Sequence, residues 1–116
     1  MPNPSLPKLI KKWKSRLGLS HWTIEVAYYE TLEMDDPGDF GSVEYNLLRR
    51  WAKIKILKPS AAVGKVISPI NVEQTVIHEL VHLVLAPVAR KCEDLRALEH
   101  AVDDLTNALY KTDELP

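Results

Sequence analysis

Residues 71–87 read NVEQTVIHELVHLVLAP, and this stretch decides how the chain folds. Its apolar residues fall on almost every side of a helix, as they do in a helix buried in a protein core. Asn71 with Gln74 three residues later predicts a helix start with a capping box, and Ser68-Pro69 offers an alternative start. The proline at position 87 predicts an end just before it. We therefore expect a buried helix over residues 71–86.

Within this helix, His78-Glu79-x-x-His82 forms an H-E-x-x-H pattern, which chance produces in about one chain in a hundred of this composition. Residues four apart lie on one helix face, so His78 and His82 can bind a single zinc ion. Glu79 then stands where it can act as a general base toward a water molecule. The alternative is a pair of core histidines that hydrogen-bond to backbone or carboxylate groups, because buried polar groups need partners.

The next helix offers a third ligand. Residues 92–111 carry an apolar stripe at three- and four-residue steps, formed by Leu95, Leu98, Val102, Leu105 and Leu109. Glu99 falls about 80° from the centre of this stripe and can reach a helix–helix boundary, whereas His100 falls on the opposite side and should face solvent. Asp103, one turn beyond Glu99, can orient a ligand histidine through its second ring nitrogen. Alternatively, Glu99 is a surface carboxylate that pairs with Arg96.

His78-Glu79-x-x-His82 followed by Glu99-x-x-x-Asp103 resembles the gluzincin metallopeptidases. The short chain is similar to a minimal gluzincin core of the kind found among phage and prophage proteins and in repressor-cleaving regulators. Residues 18–26, a helix end that leads into a strand, also resemble the start of such domains. The resemblance implies a zinc cofactor, a peptide or protein substrate, His78, His82 and Glu99 as ligands, Glu79 as the catalytic base and Asp103 as support for a histidine.

Composition bounds the alternatives. The 116 residues suit a single domain spanning residues 1–116, with 15 basic and 16 acidic residues and therefore no overall bias toward nucleic acid or membranes. Cys92 is the one cysteine, which excludes an intrachain disulfide and suits a reducing, cytoplasmic location; we interpret it as a plain small residue rather than a ligand. No apolar run approaches the length of a membrane span, and the proline-rich N-terminus does not read as a signal peptide.

The remaining segments predict an α+β domain with a zincin-like minimal core. We expect a helix over residues 5–17 closed by Gly18, strands over 22–29, 41–46 and 51–57, and then the two ligand-bearing helices. Polar loops are predicted over 31–40 and 61–69. One edge strand, either 41–46 or 51–57, could bind an extended peptide by backbone pairing.

Three further interpretations remain open in the sequence. The first helix has a basic face formed by Lys8, Lys11, Lys12, Lys14 and Arg16. We interpret this face as a solvated surface, or else as a binding patch for nucleic acid or an acidic partner. One rival function is a non-catalytic zinc-binding or interaction module, against which the intact Glu79 argues. The other is a DNA-associated protease, against which the near-neutral charge of the chain argues. Candidate oxyanion stabilisers are Tyr45, Tyr110, His21 and Arg49, while Trp13, Trp22 and Trp51 are interpreted as core aromatics.

Overall fold

A computed structural model of the protein describes residues 3–30, 33–34, 39–62 and 71–113. Within these ranges the order of elements is helix, three strands, helix, helix, which confirms the α+β prediction. The bounds are α1 Leu6–Arg16, β1 Thr23–Tyr29, β2 Gly41–Asn46, β3 Trp51–Leu57, a short 3-10 helix Pro59–Ala62, α2 Val72–Ala89 and α3 Leu95–Asp113. The loops expected over 31–40 and 61–69, and the alternative helix start at Ser68-Pro69, lie largely or wholly outside the described residues.

The sheet has the order β1-β3-β2, with β3 in the centre. Strand β3 pairs parallel with β1 and antiparallel with β2, whose end Asn46 lies opposite Trp51. The β2–β3 turn contains Arg50 with a positive φ of 52°, an unusual conformation for a residue other than glycine. Of the two strands considered from sequence as the possible edge, β2 is therefore the edge strand and β3 is the central one.

Helix α2 is the central element of the packing. It contacts α1, α3, β2 and β3, and the core that it helps to form also includes the inward-facing residues of β3, Ala52, Ile54 and Ile56, each 0% exposed. Trp13 and Trp22 are buried as predicted, whereas Trp51 is half-buried on the alternate face of β3. No helix within the described ranges is both long enough and apolar enough to span a lipid bilayer.

The start of α2 matches the predicted cap, but the capping box is only half formed. The Asn71 side chain accepts a hydrogen bond from the Gln74 backbone N–H at 2.9 Å, as an N-cap should. The Gln74 side-chain Nε2, however, donates to the Asn107 side-chain Oδ1 on α3 at 2.5 Å instead of returning to Asn71. A tertiary contact has replaced the local one, and the same residue now ties α2 to α3.

The predicted end of α2 was wrong, because the helix continues through Pro87 to Ala89. Proline has a φ that suits a helix, and its costs are a missing N–H and crowding against the preceding turn. Here Leu83 and Ala86 are each 1% exposed, and their burial holds that turn in place, while Pro87 itself faces solvent. The core packing of α2 thus overrides the local tendency of proline to end a helix.

The predicted start of α3 at residue 92 was also wrong. The helix begins at Leu95, after Asp94, whose carboxylate accepts a hydrogen bond from the Ala97 N–H at 3.0 Å. Asp is a favoured residue at helix N-termini because its side chain satisfies such free N–H groups. Cys92 lies before this point in a turn, where its N–H donates to the Ala89 carbonyl. The periodic apolar pattern therefore overestimated the length of α3 by three residues at its N-terminal end.

Candidate metal centre

Helix α2 presents two histidines and a glutamate to one side of the domain. The ring centroids of His78 and His82 are 5.0 Å apart, as expected for residues one helical turn apart. Their side chains are 25% and 24% exposed, whereas the Glu79 residue is only 4% exposed. Because α2 is held by core packing, the backbone positions of these three residues are fixed with it.

Helix α3 brings Glu99 against both histidines. Glu99 Oε1 lies 3.0 Å from His78 Nε2, and Glu99 Oε2 lies 3.6 Å from His82 Nε2. The carboxylate therefore faces α2, which differs from the alternative in which it pairs with Arg96 on the surface of α3. His100 is exposed, as its angular position on the helix predicted.

Asp103 approaches the other nitrogen of the same ring. Its Oδ1 atom lies 3.3 Å from His78 Nδ1, so that the two nitrogens of His78 face two different carboxylates. A carboxylate on the second ring nitrogen fixes the tautomer and the orientation of an imidazole whose first nitrogen is left for a metal. The side chains of Glu99 and Asp103 are 50% and 53% exposed, so both stand at the solvent-facing rim of the candidate centre, by which we mean His78, Glu79, His82, Glu99 and Asp103.

The environment of Glu79 changes its acidity. Burial raises the pKa of its carboxyl from 4.5 to about 8, with further contributions from the negative charges of Glu99 and Asp39. Burial also lowers the pKa of His82, although the nearby Glu99 carboxylate opposes that shift. A cation close to Glu79 would favour the carboxylate form and so reverse the effect of burial.

An open pocket of about 390 Å³ lies between the candidate centre and the sheet. Strand β2 and Asp39 just before it form one wall of the pocket, and helices α2 and α3 form the other. The lining residues are Asp39, Gly41, Ser42, Val43, Tyr45, His78, Glu79, His82 and Glu99. Strand β2 and the histidines thus share one concave site. A substrate in the pocket would touch both.

Of the other residues that the sequence suggested for the site, Tyr45 lines this pocket and the rest are not part of its lining. Tyr45 packs edge-on against Trp22, with ring centroids 6.3 Å apart. Tyr110 instead accepts a hydrogen bond from the Asn71 side chain at 2.6 Å, at the start of α2. His21 and Arg49 are exposed and are not part of the pocket lining. Cys92 lies in the turn between α2 and α3, where its thiol approaches the Asp94 carbonyl at 3.3 Å.

Four pocket residues were missed by the sequence reasoning, namely Asp39, Gly41, Ser42 and Val43. Asp39 precedes β2, and Gly41 begins it, and both were read only as parts of a turn and a strand. The signal that could have found Gly41 is a glycine inside a strand pattern, which often marks a close approach by another part of the chain. No comparable signal existed for Asp39, because its position depends on which strand forms the edge of the sheet.

The donor atoms fit a divalent metal ion. Ligand atoms from His78, Glu79 and His82 lie within 4.8 Å of one another, and so do those from His78, Glu99 and Asp103. Two imidazole nitrogens and a carboxylate are a donor set that zinc accepts at catalytic sites. Glu99 has one carboxylate oxygen toward each histidine, and Asp103 stands behind His78.

The basic face of α1 is partly engaged in structural contacts. Lys12 contacts Glu73 Oε2 at 2.7 Å and Asp113 Oδ2 at 2.8 Å, and Arg16 also pairs with Asp113. Trp13 Nε1 donates to the same Glu73 oxygen at 2.8 Å. These bonds join α1 to the start of α2 and the end of α3, and they raise the pKa of Lys12 and lower that of Asp113.

In comparisons with protein family models, curated protein sequences and solved structures, the chain matches none. The function is therefore inferred from the geometry of the candidate centre and its pocket.

Proposed function

We propose that the protein is a zinc-dependent peptide-bond hydrolase. The observation that carries this proposal is the position of Glu99, whose two carboxylate oxygens face the Nε2 atoms of His78 and His82 beside the buried Glu79. Three protein ligands leave a fourth position for water or substrate, which distinguishes catalytic zinc sites from closed structural ones. With its single cysteine, the chain suits a cytoplasmic location, and we include that location in the proposal.

Each residue of the candidate centre has a separate role in this proposal. His78, His82 and Glu99 hold the zinc ion, which supplies Lewis acidity when bound. Asp103 holds the His78 ring through Nδ1. Glu79 accepts a proton from the attacking water on a carboxylate oxygen and later passes it to the leaving amine. Among the four candidates for an oxyanion donor, Tyr45 is the one in the pocket lining, and we assign that role to it.

The edge strand supports a peptide as the substrate. Strand β2 pairs with β3 along one side, and four of its residues, Gly41, Ser42, Val43 and Tyr45, line the pocket. An extended peptide can add to such an edge through backbone hydrogen bonds, with side chains alternating between the two faces. A peptide bound in this way would pass the candidate centre.

A comparison of two glutamine variants tests the proposal. Zinc-loaded wild type is assayed against an unbiased peptide library, and the best substrate is then used with Glu79→Gln and with Glu44→Gln. Glu44 is an exposed residue of β2 that is not part of the pocket lining, so it provides the matched control. We expect Glu79→Gln to bind zinc and fold normally while kcat/KM falls by about a hundredfold or more, with Glu44→Gln near wild type.

The other outcomes have definite meanings. Equal turnover by Glu79→Gln and wild type removes Glu79 from the mechanism. Zinc binding without cleavage of any peptide favours the non-catalytic module instead. A DNA-associated protease is disfavoured because Lys12 and Arg16, two of the five basic residues of the first helix, are engaged in ion pairs within the domain.

A further inference from the structure

Gly41, the first residue of β2, lies where a side chain has no room. A Cβ atom built on Gly41 would stand 2.7 Å from Thr75 Cγ2 and 3.3 Å from Glu79 Cγ, and the first of these is too short for any real contact. The backbone conformation does not explain the glycine, since Gly18, with a φ of 71°, is the described glycine in the left-handed region. Space, and not conformational freedom, therefore requires glycine at position 41.

The threonine methyl group cannot easily move away. Thr75 Oγ1 donates to the Asn71 carbonyl at 3.0 Å, and this bond fixes χ1 and with it the direction of Cγ2. Strand β2 is also held on its far side, since Gly41 pairs with Ile56 and the neighbouring Phe40 carbonyl accepts from Leu57 N–H at 2.8 Å. A Cβ at position 41 would thus force apart two elements that are both anchored elsewhere.

The same close approach covers Glu79. Thr75 and Glu79 are one turn apart on α2, and both side chains lie against the backbone of β2 at Gly41. With β2 in this place, the Glu79 residue is 4% exposed although it lines an open pocket. The strand that forms the wall of the pocket is therefore also what confines the Glu79 side chain.

We infer that Gly41 is a positioning residue for Glu79: its missing side chain lets β2 close onto α2 and so fixes where the Glu79 carboxylate stands. The catalytic meaning of this inference rests on the proposed function. The geometric part does not, because confinement of Glu79 can be measured without any substrate.

The experiment uses carboxylate labelling with a water-soluble carbodiimide and an amine, read residue by residue by mass spectrometry, on the metal-free protein. In wild type, Glu79 should be labelled weakly and the exposed Glu44 strongly. In Gly41→Ala, we expect the Glu79-to-Glu44 labelling ratio to rise severalfold. For the zinc-loaded enzyme, we expect kcat/KM to fall by between about tenfold and a hundredfold, as a misplaced catalytic group does.

Rescue by Thr75→Ser identifies the contact. Serine keeps the hydroxyl that bonds to Asn71 and removes the Cγ2 atom that lies 2.7 Å from the built Cβ. The double variant Gly41→Ala/Thr75→Ser should regain most of the protection of Glu79, and most of the activity, relative to Thr75→Ser alone. If Gly41→Ala does not fold, recovery of a cooperative melt in the double variant tests the same contact.

Gly18→Ala is the matched control. Its φ of 71° makes alanine strained, but nothing lies within 4 Å of a Cβ there. It should lower the melting temperature while leaving Glu79 labelling and cleavage at 25 °C unchanged. Unaltered Glu79 labelling in Gly41→Ala, or no recovery in the double variant, overturns the inference. If the labelling follows the expected pattern but wild type cleaves no peptide, the positioning role stands and the proposed function fails.

Discussion

Helices α2 and α3 both contribute to the candidate centre, but they are held in the fold by different interactions. Of the 18 residues of α2, eight are buried, and they include Leu80 between the two histidines. Of the 19 residues of α3, the two buried ones are Val102 and Thr106, and Leu95 at its start is 71% exposed. The apolar stripe that the sequence predicts for α3 is thus only partly covered.

Polar contacts take the place of apolar burial in holding α3. Near the start of α2, Tyr110 and Asn107 hydrogen-bond to Asn71 and Gln74. In the first half of α3, Glu99 and Asp103 contact the histidines, and at the C-terminal end of α3 Asp113 pairs with Lys12 of α1. Two of the proposed metal ligands therefore lie on a helix with eight buried residues, whereas the third lies on a helix with two, where charge and hydrogen bonding add to the docking. Metal binding and the docking of α3 should therefore be coupled.

The largest difference should come from the same substitution made on each helix. Leu80→Ala on α2 removes a side chain that is 0% exposed and should lower the free energy of unfolding by about 2–5 kcal/mol. Leu105→Ala on α3 alters a residue that is 45% exposed and should cost less than about 1 kcal/mol. Urea unfolding with unchanged m-values measures both. Similar losses in the two variants would show that α3 is packed as firmly as α2.

The buried glutamate of α2 should make the stability of the metal-free protein depend on pH. In the unfolded chain Glu79 loses its proton as the pH passes its ordinary pKa of 4.5. In the folded protein the carboxyl group stays protonated until the pH approaches its raised pKa of about 8. Its contribution is therefore fully present below pH 4.5 and is lost as the pH rises toward 8, by a few kcal/mol in total. Chemical unfolding in the presence of a chelator, measured across this range, checks the slope.

Glu79→Gln is the control for that slope. It removes the titration, so the difference between the two stability curves should decline as pH rises from about 4.5 to about 8. The lowered pKa of His82 adds an opposite slope below its ordinary value of 6.5, but it does so in both proteins and cancels in the difference. Parallel curves for wild type and variant would contradict the burial of an ionisable Glu79.

Zinc should stabilise the protein by joining the two helices. At a hundred times the dissociation constant, a ligand that binds only the folded state adds about 2.7 kcal/mol. Chelation should therefore lower the melting temperature clearly without abolishing the cooperative transition, because α2, the sheet and α1 share a core that does not include the metal. Hydrogen exchange should show that chelation exposes the amides of α3 more than those of α2.

Two variants of α3 serve as a matched pair for this prediction. Glu99→Ala should lose most of the bound zinc and most of the thermal shift, whereas His100→Ala, which changes an exposed neighbour, should keep both. The reverse result would refute the ligand assignment. An apo protein without any transition would favour a structural zinc site, and identical melts with and without zinc would favour the core-histidine alternative.

The smallest effect is expected at the two helix starts. Asn71→Ala removes the hydrogen bond to Gln74 N–H and also the contact with Tyr110 on α3, and it should cost about 1–2 kcal/mol. Asp94→Ala removes a single hydrogen bond, to Ala97 N–H, at an exposed site and should cost about 0.5–1 kcal/mol. Thermal melts of both variants test whether the Asn71 cap also anchors α3. Equal losses would indicate that the Tyr110 contact adds nothing.

Much of this arrangement could be predicted because it depends on local periodicity. The strands, α1 and the ligand helix follow from alternating or helical patterns, and the angle of Glu99 on α3 places it on the side that faces His78. The same angular argument placed His100 in solvent. These predictions need only the geometry of a single element.

What could not be predicted depends on contacts between distant parts of the chain. Strand order is one case, since nothing local in residues 51–57 says that they pair with two partners. The extension of α2 past Pro87 is another, because it follows from the burial of Leu83. The tight fit at Gly41 is a third, because it requires knowing that β2 crosses Thr75.

The strand order also has a consequence for the route by which the chain folds. Strands β2 and β3 are joined by a short turn, so their pairing closes a small loop at low entropic cost. The pairing of Thr23 with Trp51 must instead enclose all of β2, which makes the β1–β3 ladder a late, long-range event. The β2–β3 hairpin, which forms one wall of the pocket, should therefore already be present in the folding nucleus, before β1 adds to it and before α3 brings in the remaining proposed ligand.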